Sequence, residues 1–167
     1  MTLPELNQLA EAEAVTLLTQ CCGSSRWVGL MVDRRPYESN EHLLDSAQEV
    51  WAQCTDKDFL EAFDHHPKIG DLNTLKAKYA NTSSLAASEQ GDMAEVSLDT
   101  LKALQQQNVA YEERFGFIFI VFATGRTAAE MLAILESRLP NSREIEIKIA
   151  AEEQLKITLL RLKKLIA

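Results

Sequence analysis

Apolar residues recur at three- and four-residue steps along almost the whole of this chain, and each stretch opens on a capping residue. A sheet requires alternation at every second residue, so this spacing commits the chain to helices with one apolar face each. Thr2 caps a first helix, with Leu6, Leu9, Leu17 and Leu18 on or near one face and Gly23 closing it. Asn40 caps a second, along which Leu43, Leu44, Ala47, Val50, Trp51 and Cys54 recur. Thr55 with Asp58 begins a helix that runs toward His66, and a shorter one carries Leu72, Leu75 and Tyr79 before a polar loop from Asn81 to Ser84. Ser97 caps a longer segment with Leu98, Leu101, Leu104 and Val109, ended by Gly116. Thr127 and Glu130 form a capping-box pattern ahead of Leu132, Leu135 and Leu139. The last helix starts at Asn141 or Ser142, and its Ile145, Ile149, Leu155, Leu159, Leu162 and Ile166 read as core.

One run departs from this pattern. Phe117 to Ala123 is aromatic and β-branched and lies between Gly116 and Gly125, which by propensity is a buried strand. It has no partner strand elsewhere in the sequence. It is therefore either a buried helix with a poor local signal or an extended crossing through a helical core. Extended backbone has amides that need partners, and a bound ligand is one candidate. The expected fold is all-α, a single-domain helical bundle over 1–167 with a short extended segment near 117–122. No repeat, low-complexity tract or composition shift divides the 167 residues, a length sufficient for a real core.

A net charge of −8 argues against a general nucleic-acid or anionic-membrane binder, because no basic face could dominate so acidic a surface. A small anion answers instead to local charge, which Lys68, Arg126, Arg143 and Arg161 can supply. The three cysteines make no framework: Cys21 and Cys22 are adjacent, where a disulfide is strained, and Cys54 stands alone. No Cys-x-x-Cys or His-x-x-x-His spacing points to zinc, and no metal is expected. Residues Met1 to Glu5 lack the blocks of a signal peptide, and the longest apolar run is too short to span a bilayer. A reduced, cytoplasmic protein is the expectation.

The chemistry concentrates at Phe63-Asp64-His65-His66-Pro67-Lys68-Ile69-Gly70. Proline turns the preceding residue away from helical angles, so the helix stops near His66 and aims its imidazole from a helix end. A histidine there can move protons near neutrality, whereas the bland alternative is a surface imidazole favoured by the helix dipole.

Five motifs then occur in one order: His66-Pro67-Lys68-Ile69-Gly70, Ser88-Glu89-Gln90-Gly91, Tyr111-Glu112-Glu113-Arg114-Phe115-Gly116-Phe117, Ala123-Thr124-Gly125-Arg126 and Lys156-Ile157-Thr158-Leu159-Leu160-Arg161-Leu162. In these the chain resembles the OHCU (2-oxo-4-hydroxy-4-carboxy-5-ureidoimidazoline) decarboxylases over almost its whole length. The resemblance implies an all-α, cofactor-free, homodimeric enzyme. Such an enzyme acts on a small ureidoimidazoline in the last step from urate to (S)-allantoin, with no nucleic-acid or membrane partner. It further implies His66, Glu89 and Arg161 as catalytic residues. Pro67, Gln90 and the stretch Phe117, Ile118, Phe119 and Ile120 are implied to bind substrate. Two positions depart from the family pattern: Ala86 stands where members often have Ser, and Ile118 where they often have Pro. The first puts one substrate hydrogen bond in question: either Ser83, Ser84 or Ser88 compensates, or the loop aligns one turn differently. A non-catalytic acidic helical interaction domain is the alternative, since an amphipathic pattern alone would serve it. A hydrolase using Cys54 or Ser88 with a histidine lacks a nucleophile motif.

Overall fold

We describe a computed structural model of the chain, covering residues 1–68 and 93–167. Among these residues there are eight helices and no strand, as the periodicity requires. They are α1 (Leu3–Gln8), α2 (Glu11–Cys21), α3 (Ser25–Asp33), α4 (Asn40–Ala52), α5 (Asp56–Asp64), α6 (Met93–Phe115), α7 (Ala128–Arg138) and α8 (Arg143–Leu165). The expected helix around Leu72 to Tyr79 and the loop from Asn81 to Ser84 lie outside the described residues.

The chain forms two compact units. The first comprises Met1–His66, Ile120–Phe122 and Ile147–Ala167. Its core gathers Leu6, Leu18, Trp27, Met31, Leu43, Val50, Phe63 and, from α8, Ile147, Ala150 and Leu162. Burying an aliphatic or aromatic side chain of this size stabilises by roughly 1.5–3 kcal/mol. Both tryptophans also satisfy their indole N–H groups, Trp27 on the Ala47 carbonyl at 3.1 Å and Trp51 on that of Ala151 at 2.9 Å. The second unit comprises Pro67–Phe119 and Ala123–Glu146. There α6 packs on α7, with Leu101, Leu104, Tyr111, Phe115, Met131 and Leu135 buried.

Several helix starts follow the local signals. Thr2 accepts from the Glu5 amide and the Glu5 carboxylate accepts from that of Thr2 at 2.8 Å, a capping box worth about 1 kcal/mol. The Asp58 carboxylate reaches back to the Thr55 amide at 2.9 Å, and Thr127 Oγ1 accepts from the Glu130 amide at 3.2 Å. Gly116 closes α6 with φ +81°, a left-handed conformation that only glycine adopts without strain.

Other expectations are corrected. The first helix is two, broken at Leu9 and Ala10, where Arg35 Nη1 donates to the carbonyls of Leu6 (3.0 Å) and Leu9 (2.8 Å). Asn7 exchanges hydrogen bonds with the Tyr37 backbone at the same place. The α4 cap is Ser39, whose hydroxyl accepts from the His42 amide at 3.0 Å, so Asn40 is the first helical residue. Helix α3 is additional. Ser24 caps it and Trp27, Val28, Met31 and Val32 bury one face, a spacing visible in the sequence. Helix α6 already includes Met93, ahead of Ser97, and Met, Ala and Glu there are good helix formers with no breaker among them.

Helix α8 turns a different face inward from the one its large aliphatics suggested. Ile145 is 54% exposed, and Ile149, Leu155 and Leu159 are half-buried. Leu162 and Ile166 are buried as expected, and the buried stripe leading to them is Ile147, Ala150, Ala151, Gln154 and Thr158. Of the two readings of Phe117 to Ala123 the buried helix is excluded, for the segment is neither helix nor strand. The Phe122 amide donates to Glu153 Oε1 of α8 at 3.2 Å.

Candidate active site

Helix α5 ends where the proline signal places it. The His65 amide donates to the Ala62 carbonyl at 3.2 Å and that of His66 to Phe63 at 3.1 Å, tightening the last turn before Pro67. The His66 ring leaves this turn half-buried, with Nε2 2.5 Å from Gln154 Oε1 on α8. Burial lowers the His66 pKa below its usual 6.5; the Gln154 hydrogen bond opposes this, and nearby Arg161 and His65 add to it. At neutral pH the imidazole is therefore uncharged and able to accept a proton.

Arg161 reaches the same place from the last turns of α8. Its Nη1 donates to the carbonyls of Gln20 at 3.3 Å and Cys21 at 3.5 Å, closing the C-terminus of α2. Both contacts are long and use one nitrogen of a group with five N–H donors, so hydrogen-bonding capacity remains. Thr19, Gln20 and Gly23, with Ala62, His65, His66 and Arg161, line an open cavity of about 320 Å³. That suits one small ring and its substituents. Gly23 is needed here for space: a Cβ added at this position would overlap the His65 imidazole.

Of the residues that sequence reasoning assigned to the site, His66 and Arg161 meet on this cavity. Glu89 and Gln90, like Ala86, lie outside the described residues. Ile120 is buried in the first unit. Pro67, Phe117, Ile118 and Phe119 belong to the second, where Phe117 is buried and Ile118 and Phe119 are half-buried. Two candidate cations have other partners: Lys68 pairs with Glu112 at 3.0 Å, and Arg143 donates to the Phe115 carbonyl at 3.0 Å. Cys21 and Cys54 are pushed up to about 11, and Cys22 to about 12, each chiefly by burial. Their thiols are poor nucleophiles at neutral pH, which removes the support for a Cys54 hydrolase.

Sequence reasoning missed two groups. The apolar periodicity of α8 gives Gln154 and Thr158 no role; their four-residue spacing within the Ala150 to Leu162 stripe is the signal that finds them. The other group is a buried cluster in the second unit. Arg138 is 6% exposed and pairs with fully buried Glu146, its Nε donating to Oε1 at 2.6 Å. The Tyr111 hydroxyl donates to the same oxygen at 2.6 Å, and Asn141 Nδ2 to Oε2 at 3.0 Å. The Arg138 guanidinium lies 4.7 Å from the centre of the Phe119 ring. No signal short of packing identifies Arg138 as buried. No helix among the described residues is long and apolar enough to cross a membrane.

An all-helical protein that sets an uncharged imidazole and a guanidinium on one small cavity has the makings of a proton-handling site for a small anion. The particular kind follows from its relatives: the chain belongs to the OHCU decarboxylase family, which it matches over residues 7–163. It is 42% identical, over 87% of its length, to the uric acid degradation bifunctional protein TTL of Arabidopsis thaliana. It is 24% identical, over 97% of its length and 94% of the relative's, to a 2-oxo-4-hydroxy-4-carboxy-5-ureidoimidazoline decarboxylase of Haloferax volcanii. A crystal structure of an OHCU decarboxylase in the presence of (S)-allantoin superposes with a TM-score of 0.70 at 37% identity, covering 89% of this chain and 95% of that one. The chain spans 45% of the Arabidopsis protein, and 32% of a bifunctional uric acid degradation protein from Bacillus sp. strain TB-90 that is 27% identical to it.

Proposed function

We propose that this chain decarboxylates 2-oxo-4-hydroxy-4-carboxy-5-ureidoimidazoline to (S)-allantoin and CO2 in urate breakdown. The supporting observation is an uncharged His66 and Arg161 on one cavity of substrate size, in a chain of the OHCU decarboxylase family. The substrate carries a carboxylate and a hydroxyl on one ring carbon, beside a ring C=N bond. Breaking the carbon–carboxylate bond releases CO2 and leaves an electron pair, which the C=N takes up to give an enol-like intermediate. The ring is its own electron sink, so the reaction needs neither an organic cofactor nor a metal.

The protein's work is to hold the carboxylate out of the ring plane, stabilise developing charge and handle one proton. Arg161 anchors the anion through charge-assisted hydrogen bonds. His66 accepts the hydroxyl proton and returns one to the intermediate. Glu89 orients His66 or binds the ureido N–H groups, Gln90 and Pro67 contact the substrate, and the backbone of Phe117, Ile118, Phe119 and Ile120 supplies further contacts. The chain acts as a single domain over 1–167, pairs as a homodimer and works in the cytoplasm.

The test is the handedness of the product. Uncatalysed decay protonates the intermediate on either face and gives racemic allantoin, whereas an enzyme that fixes the ring delivers the proton to one side. With freshly generated substrate, the parent protein is expected to yield (S)-allantoin. A folded His66→Gln variant is expected to yield the racemate at the spontaneous rate. If that variant makes (S)-allantoin at the parent's rate, His66 is not the proton-handling group and the mechanism fails.

A further inference from the structure

Gln154 and Thr158 are fully buried polar residues one turn apart on α8, and the decarboxylation as written assigns them no part. Gln154 Oε1 lies 2.5 Å from His66 Nε2, while its Nε2 donates to Thr158 Oγ1 at 3.1 Å. The Thr158 hydroxyl in turn donates to the Gln154 backbone carbonyl at 2.9 Å. We propose that Gln154, held by Thr158, is a positioning residue that fixes His66 as the Nε2–H tautomer and so makes Nδ1 its proton-accepting atom.

Donors and acceptors fix the orientation of the amide. A side-chain amide presents an acceptor at one end and a donor at the other, and a neutral imidazole does the same. The Thr158 proton is committed to a backbone carbonyl, so its oxygen offers only lone pairs to Gln154. The amide must therefore turn its NH2 toward Thr158 and its oxygen toward His66. Reversing it would set carbonyl oxygen against a hydroxyl whose proton is spent, and NH2 against the imidazole. Burial keeps the Cys22 thiol protonated, so no thiolate competes with the carbonyl for the Thr158 hydroxyl proton. With its oxygen fixed, Gln154 accepts from Nε2–H and leaves the Nδ1 lone pair as the ring's base. Among the described residues, the charged and titratable groups acting on His66 are Arg161 and His65. Both oppose a second proton on the ring and so favour its neutral form. A glutamine does this without a second charge, so the imidazole is oriented yet stays neutral, which a buried carboxylate would not permit.

This rests on His66 being the proton-handling group, and the test separates the two claims. The chain has three histidines, so NMR of protein labelled at histidine, assigned with His42→Gln and His65→Gln, reads the His66 tautomer without substrate or turnover. The parent should show Nε2 protonated and Nδ1 bare. Gln154→Leu should lose this bias, giving mixed tautomers and a kcat at least about tenfold lower with little change in KM. Gln154→Glu keeps an acceptor for Nε2–H and should retain the tautomer. Its added charge should move the acid limb of the kcat/KM profile to higher pH, by about one unit or more. Thr158→Val, nearly isosteric, should disturb the tautomer as Gln154→Leu does while keeping the fold by circular dichroism. A parent protein whose neutral His66 carries its proton on Nδ1 overturns the proposal. So does a folded Gln154→Leu protein with unchanged tautomer and kcat. Full activity of His66→Gln would instead sink the catalytic reading, whatever the spectra show.

Discussion

Replacing Arg138 by Met is expected to destabilise the protein by about 3–4 kcal/mol without changing its core volume much. Glu146 is fully buried, and Arg138 is the sole formal positive charge paired with it among the described residues. Removing one partner of a buried ion pair costs about 3–5 kcal/mol, because the other charge stays behind uncompensated. Glu146 keeps the Tyr111 hydroxyl at 2.6 Å and Asn141 Nδ2 at 3.0 Å, which puts the pair loss near the low end. Burial, and then the bond to Glu146, push the Tyr111 phenol up, so it remains a donor. The guanidinium face over Phe119, 4.7 Å from the ring centre, adds about 0.5–1 kcal/mol. In a chain of 167 residues that sum lowers the thermal midpoint by roughly 10 °C. Urea unfolding followed by circular dichroism should show a lower midpoint with unchanged slope. Adding Glu146→Gln removes the stranded charge and should recover more than half of the loss. Because Phe119 lies in the proposed substrate-binding stretch, KM for the ureidoimidazoline should rise in the single variant and partly return in the double one. A loss below about 1 kcal/mol, or a double variant less stable than Arg138→Met, would refute the reasoning.

Arg161→Ala should leave the fold intact and lower kcat/KM by about 10- to 150-fold, the loss of one charge-assisted hydrogen bond to an anion; an unchanged value would return Arg161 to capping α2 alone. Gly23→Ala forces the His65 ring from its seat, and should cost about 1–3 kcal/mol in stability along with a measurable part of kcat/KM. Wild-type stability and activity in that variant would mean the ring has another place to go. Burial lowers the His66 pKa, so kcat/KM should stay flat through neutrality and fall only below pH 6.5, where the imidazole gains its proton. Below that value the unfolded chain holds more protons than the folded one. The stability contributed by the neutral ring is therefore full above 6.5 and declines as pH drops toward the folded value. Urea midpoints between pH 5 and 8 should show this slope in the parent and lose it in His66→Gln.

Much of this molecule could be read from the chain. The caps at Thr2, Thr55 and Thr127 and the stop at Gly116 were legible, because each is a hydrogen bond or dihedral preference confined to a few neighbouring residues. The end of α5 at His66 was legible for the same reason, since Pro67 restricts the residue beside it. Helix α3 could have been found from Ser24 and the spacing of Trp27, Val28, Met31 and Val32. Asn40 reads as the cap of α4, but Ser39 beside it carries an equally good capping side chain, and it is Ser39 that caps the helix.

The tertiary structure decided the rest. The break at Leu9 depends on Arg35 and Tyr37, whose claim on α1 is made only once the chain has turned back on itself. Which face α8 buries depended on what lay against it: Ala150, Ala151, Gln154 and Thr158 are inside, while Ile149, Leu155 and Leu159 are half-buried. Arg138 reads as a surface residue until Glu146, Tyr111 and Phe119 surround it. At the site, sequence supplied the imidazole and the guanidinium, because their chemistry belongs to the side chains themselves. Whether that imidazole is neutral, and what lies against its second nitrogen, belonged to the fold, because burial and hydrogen-bond geometry exist only after distant segments have packed.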